Sequence, residues 1–324
     1  MHPVISQILK SKRAMPLLSF PCVQLLGVPV GQLVTDSELQ AEGMARIAAQ
    51  YPSAAAVSMM DLSVEAEAFG APIKFDDDEV PTVTGAIVSD LDEAEALAVP
   101  SLDAARLPVY IEAIRKAKAR ITDRPLLAGI IGPFSLAGRL LDMTEIMILC
   151  YEEPETVEAV LQKATAFLAD YARALCAAGA DGVVMAEPAA GLLSPALNRA
   201  FSVPYVKQVI EAVHADGKVL VYHNCGTVAP LMGDIVSLGA DAYHFGNSAD
   251  LAVLSQHIPE DVIFSGNIDP VGILCDATPE QTAAACDALK AAVGQLPNFI
   301  PSSGCDVPAR ASLANIEAFF GCFG

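Results

Sequence analysis

Positive charge is scarce in this chain. Its 324 residues hold 19 lysines and arginines against 39 aspartates and glutamates, a formal net charge of −20. Nucleic-acid binding needs a basic footprint and anionic bilayers attract basic segments, so neither partner is expected. Long apolar runs are missing too: none reaches the length of a transmembrane helix, and residues 1–13 lack the apolar core of a secretory signal. The eight cysteines are scattered without the spacing of a disulfide framework. That predicts a reducing, cytoplasmic setting, where thiols serve packing, metals or catalysis. No Gly-x-Gly-x-x-Gly follows the first strand candidate, which argues against an open dinucleotide-binding sheet. Internal repeats, low-complexity segments and linkers are absent as well.

What is present is a large apolar fraction, 53%, with only 18% charged residues. That is ample for one large core. Short apolar runs at residues 15–20, 54–60, 126–131, 182–185, 218–222, 242–245, 262–265 and 299–302 alternate with segments of helical pattern. Eight strands in such alternation predict a parallel sheet closed into a single (β/α)8 TIM-type barrel, an α/β fold spanning residues 1–324 as one domain. A small N-terminal extension carries a short surface helix over residues 4–12. A hairpin insertion pairs residues 81–83 with 86–88 across Thr84-Gly85.

The most informative stretch is Val219-Leu220-Val221-Tyr222-His223-Asn224-Cys225-Gly226. It reads as a buried parallel strand ended by a turn glycine. Residues two apart on a strand point the same way, so His223 and Cys225 share one face at its C-terminal end. Far downstream, Phe299-Ile300-Pro301-Ser302-Ser303-Gly304-Cys305-Asp306 repeats the shape. One imidazole and two thiolates, His223, Cys225 and Cys305, make three ligands of a tetrahedral zinc site with its fourth position open. The competing reading is two buried cysteines and a core histidine. Cys150, Cys176, Cys286 and Cys322 fall in helix-like segments and read as packed thiols.

Barrel enzymes work at the C-terminal ends of their strands. Asp61, Glu187, His223, Cys225, His244, Asn267, Asp269, Cys305 and Asp306 are all expected there. Each has a duller explanation alone: Asp61 or Asp269 as a helix cap, Glu187 as a loop carboxylate, His244 as a satisfied core histidine.

With these residues in hand, the chain resembles the uroporphyrinogen decarboxylase superfamily over nearly its whole length. Met60-Asp61-Leu62-Ser63-Val64-Glu65 is similar to its early acidic motif, Gly132-Pro133-Phe134-Ser135-Leu136 to its Gly-Pro-Phe/Trp-Thr-Leu motif, and Gly266-Asn267-Ile268-Asp269-Pro270 to its Gly-Asn-Leu/Ile-Asp-Pro motif. His-x-Cys at 223–225 followed by Cys305 resembles the zinc motif of the corrinoid-dependent methyltransferase branch. The resemblance implies zinc on His223, Cys225 and Cys305, activating a small thiol that takes a methyl group from a methylcobamide. Asp61 and Glu187 are then the catalytic candidates, with Glu187 a candidate fourth ligand. Asn267 and Asp269 are candidates for holding the corrinoid or the acceptor.

No Asp-x-His-x-x-Gly cobamide motif is found, so a separate corrinoid protein is the expected partner. The acceptor (coenzyme M, homocysteine, another thiol or tetrahydrofolate) and the oligomeric state, a homodimer included, stay open. The alternative is a porphyrinogen decarboxylase. Asp61 aligns with the acidic residue such enzymes use, but residues 19–26 lack the arginines that would hold a polycarboxylate, and cations at the site look few.

Overall fold

A computed structural model describes residues 1–323. Seven strands form one parallel sheet, in the order β1 (Ala56–Val57), β4 (Leu126–Ile131), β5 (Gly182–Ala186), β6 (Val219–Asn224), β7 (Ala242–Phe245), β8 (Ile263–Ile268) and β9 (Phe299–Ser303). Neighbours in space are neighbours in sequence, joined by helical crossovers that cover the outer face. β2 (Ile73–Lys74) and β3 (Thr82–Val83) make a separate antiparallel pair.

The sheet curls until its first and last strands face one another, and residues 14–17 close the gap. Ala54 N–H donates to the Ala14 carbonyl at 2.8 Å, and Met15 N–H donates to the Pro301 carbonyl at 2.8 Å. The expected first strand at 15–20 is therefore in its barrel position but is not a regular strand. Pro16 and Pro301 both lack an N–H, so no continuous ladder can form there. Side chains serve instead: Leu17 N–H donates to Ser303 Oγ at 3.1 Å, and Ser302 Oγ–H donates to the Met15 carbonyl at 2.7 Å.

Alternation along the strands separates two apolar populations. Val57, Leu127, Val184, Val219, Val221, Ala242, Ile263 and Ile300 fill the barrel interior. Leu220, Tyr222, Tyr243 and Phe264 face the helices. The Pro3–Ser11 helix was expected on the surface, but its Ile5 and Ile8 are each 2% exposed and pack against the interior set. A helix laid across an open barrel end buries apolar side chains that water would otherwise reach. The hairpin also differs from expectation. Thr82–Val83 pairs with Ile73–Lys74, whereas Ile87 and Val88 donate their N–H groups to the Leu140 carbonyl.

Candidate metal centre

His223 lies in the last turn of the pleat of β6, on the interior side set by Val219 and Val221. Cys225 follows one residue beyond the strand, and Cys305 two residues beyond β9. The ligand atoms of the three side chains lie within 4.8 Å of one another, and Cys305 Sγ is 3.5 Å from His223 Nε2. A tetrahedral zinc at ordinary bond lengths holds its nitrogen and sulfur ligands about 3.6 Å apart, so the spacing fits the ion. His223 is 2% exposed, while both cysteines are half-buried. The site thus opens at the barrel rim.

The donor set also fits a dication. The Cys305 thiol beside it draws the Cys225 pKa down to about 4, despite burial. The Cys225 thiolate so formed, followed by burial, pushes Cys305 far above the usual thiol range. A doubly charged cation between the two sulfurs would favour both as thiolates.

Glycines let the surrounding loops close on the cysteines. A Cβ on Gly246 would stand 2.6 Å from the Cys225 Cα, and one on Gly304 would stand 2.6 Å from the Asn247 nitrogen. Asn267 keeps this packing in place. Its Nδ2 donates to the carbonyls of Gly246 at 3.0 Å and Ala249 at 2.7 Å. Asp269 Oδ1 accepts from the N–H groups of Val271 and Gly272, both at 2.9 Å, and turns the chain after β8. Both residues brace backbone.

Glu187 does not join the three donors. It follows Ala186, which faces the interior, so its side chain points out toward the helices. There it caps the Pro133–Leu141 helix: its carboxylate accepts from Phe134 N at 2.9 Å, Ser135 N at 2.7 Å and Ser135 Oγ. A carboxylate is favoured at that end of a helix. Burial nevertheless pushes the Glu187 carboxyl up to about 7. Its main chain is tied to β6, since its carbonyl accepts from Asn224 Nδ2 at 2.7 Å.

Asp61 is likewise fully engaged. Oδ2 accepts from Arg106 at 2.5 Å and Tyr110 at 2.7 Å, and Oδ1 accepts from Ser63 N at 3.0 Å and Ser63 Oγ at 2.6 Å. Arg106 also meets Glu67 at 2.6 Å. Burial opposes the Arg106 charge, but Asp61, Tyr110 and Glu67 outweigh it and raise its pKa. One cation, Arg106, thus stands beside Asp61. It precedes a helix far from the N-terminal segment in which arginine was sought. Asp306, next to Cys305, has an Oδ1 without a partner, and burial pushes its carboxyl well up.

Glu65 sits nearby, 2% exposed, with Oε1 accepting from Ile131 N at 2.9 Å and Oε2 unpartnered. Burial pushes its carboxyl from 4.5 up to about 7. Between those values the folded chain keeps a proton that the unfolded chain has released. Its contribution to stability therefore falls as pH rises through that window, by on the order of 3 kcal/mol. Glu65→Gln keeps an acceptor for Ile131 and cannot ionise. Urea midpoints at pH 5 and pH 8 should fall less with pH in the variant; parallel falls would refute the assignment.

His244, aligned with His223 across β6 and β7, is fully buried. Its Nδ1 lies 2.8 Å from His223 Nδ1, and its Nε2 lies 2.7 Å from Ser302 Oγ. The strand pattern pointed to His244. Nothing in the pattern signalled Ser302, Arg106 or Tyr110 as its counterparts around the site.

Fold and site together define a TIM-type barrel with a three-donor centre at the C-terminal ends of its strands. The chain belongs to the uroporphyrinogen decarboxylase family, whose profile matches residues 13–323. It is 29% identical over 267 residues to the methylcobamide:CoM methyltransferase MtbA of Methanosarcina acetivorans, covering 81% of this chain and 77% of that one. It is 26% identical to the methylated-thiol–coenzyme M methyltransferase of Methanosarcina mazei, over 70% of this chain and 61% of that one. The uroporphyrinogen decarboxylase of Dichelobacter nodosus is 25% identical, over 83% and 78% of the two chains. In structure, a methyltransferase from Methanosarcina mazei superposes with a TM-score of 0.87 at 23% identity, over 99% of this chain and 98% of that one. That likeness establishes the shared fold.

Proposed function

We propose that this chain is a zinc-dependent methyltransferase that moves a methyl group from a methylated, protein-bound corrinoid to a small thiol, coenzyme M or a related compound. The observation that carries the reading is the group His223, Cys225 and Cys305, with ligand atoms within 4.8 Å of one another. No fourth His, Cys, Asp or Glu joins it among the described residues. Three protein ligands leave a position for substrate. The names of two relatives, a methylcobamide:CoM and a methylated-thiol–coenzyme M methyltransferase, support a corrinoid donor and a thiol acceptor.

Zinc in this site would supply the Lewis acidity that keeps a bound thiol deprotonated near neutral pH. Two thiolates and a neutral imidazole from the chain would balance the dication, so an incoming thiolate would keep its nucleophilic charge. Glu187 holds the end of β6 through its carbonyl, Asn267 holds the loop after β7 that packs on Cys225, and Asp61 with Arg106 holds the exit of β1. Asp269 shapes the loop after β8. The corrinoid is large, so a separate corrinoid protein docks transiently at the rim. The barrel works as one domain in the cytoplasm, where thiolate ligands stay reduced.

The decarboxylase reading rests on Asp61. Here Arg106, Tyr110 and Ser63 take up both of its oxygens, and the two thiolates have no part in such a reaction. Zinc per chain, measured by elemental analysis on protein purified without a metal-affinity tag, should be about one. Methyl transfer from methylcobalamin to a panel of thiols should accompany it. Metal-free protein with freely reactive Cys225 and Cys305, not reconstituted by zinc, would overturn the proposal.

A further inference from the structure

The buried chain Met15, Ser302, His244, His223 has a direction, and the direction follows from its far end. Met15 contributes a carbonyl oxygen, which can only accept. Ser302 Oγ lies 2.7 Å from it and has one proton, which must be donated there. Ser302 Oγ therefore receives its other contact, at 2.7 Å, from a protonated His244 Nε2. A neutral imidazole carries one N–H, so His244 Nδ1 bears a lone pair. His223 Nδ1, 2.8 Å away, must then carry the proton. A second acceptor agrees: the His244 carbonyl lies 3.3 Å from the same His223 Nδ1. On a neutral His223 ring, Nε2 then has the lone pair, on the side of Cys305 Sγ.

Reversing any link leaves two acceptors face to face in a dry interior, at a cost of about 1–3 kcal/mol. Protonating His244 on both nitrogens would reverse the last link. Burial opposes that second proton, because a charged imidazole would stand in a dry interior with only His223 and Ser302 against its ring nitrogens.

We propose that His244 and Ser302 are positioning residues that fix His223 in the Nδ1–H tautomer, so that its Nε2 is ready to bind metal. The inference rests on the zinc reading for its purpose, but its geometry does not. It also gives the Met15 carbonyl a role within the irregular closing segment. Met15 donates its N–H to Pro301 while its carbonyl serves Ser302 rather than a ladder partner. The barrel closure and the state of the metal ligand are thereby one hydrogen-bonded unit.

The test begins on metal-free protein labelled with 15N-histidine. Long-range 1H–15N correlation spectra should show His223 protonated on Nδ1 and His244 on Nε2. His223 protonated on Nε2 would overturn the proposal. Zinc affinity is then measured by competition with a chromophoric chelator. His244→Leu should weaken binding about 10- to 100-fold and leave His223 divided between tautomers. His244→Asn, whose Oδ1 can stand where Nδ1 accepts, should recover most of the affinity. Ser302→Ala, a milder change, should mix the His244 tautomers while the protein stays folded. Wild-type affinity in His244→Leu, or an unchanged spectrum in Ser302→Ala, would refute the relay. If wild-type protein binds no zinc, the proposed function fails, and the spectra still decide the tautomer.

Discussion

Cys305→Ala should abolish zinc binding and methyl transfer together. The residue supplies one of the three donors found among the described residues, and the remaining pair, His223 and Cys225, cannot enclose a tetrahedral ion. Loss of a supporting group around a metal costs about 10- to 100-fold in affinity, so loss of a ligand should exceed about 100-fold. Elemental analysis should find well under one zinc per chain, and transfer from methylcobalamin should fall in proportion. Cys176→Ala is the control. That thiol is 5% exposed within the Pro154–Ala178 helix, and burial pushes its pKa up to about 11, so it is an inert packing group. Full zinc and full transfer in Cys305→Ala would sink the assignment. Equal losses in both variants would indicate damage to the fold instead.

The largest effect on stability should come from Arg106→Leu. The Arg106 and Asp61 side chains are 8% and 0% exposed, and their contact is 2.5 Å. Removing one member of a buried pair strands the other charge and costs about 3–5 kcal/mol. Tyr110 and Ser63 still donate to Asp61, which places the loss toward the lower end. Adding Asp61→Asn removes the stranded charge and should restore about 1–3 kcal/mol, the coupling expected of groups in direct contact. Urea unfolding of the two single variants and the double variant measures this. Additive losses would mean that the pair is not coupled. The same series speaks to mechanism. If Asp61 positions rather than reacts, Asp61→Asn should keep zinc and retain substantial transfer.

Much of this could be read along the chain. The regular alternation of short apolar runs and helical segments marks the barrel, because a strand buried on both faces must be apolar throughout. His223 and Cys225 share a face because the side-chain period of a strand is two. What could not be read were matters of facing and direction. Glu187 stands at a strand end like the donors, but one residue out of phase with the interior, and it caps a helix instead. Arg106 meets Asp61 across 45 residues of sequence, and nothing local marks it.

The amino-acid order by itself determined that this is an acidic α/β barrel and which three side chains could bind a metal, since composition, periodicity and residue type are local properties. Only the tertiary structure decided how close those donors stand, which carboxylates are already taken, how Pro16 and Pro301 interrupt the closure, and where the protons on His223 and His244 reside. The reason is physical. Distances between strands and the sense of a hydrogen bond depend on partners far away in sequence, and a buried polar group takes its state from whichever partner the fold brings to it.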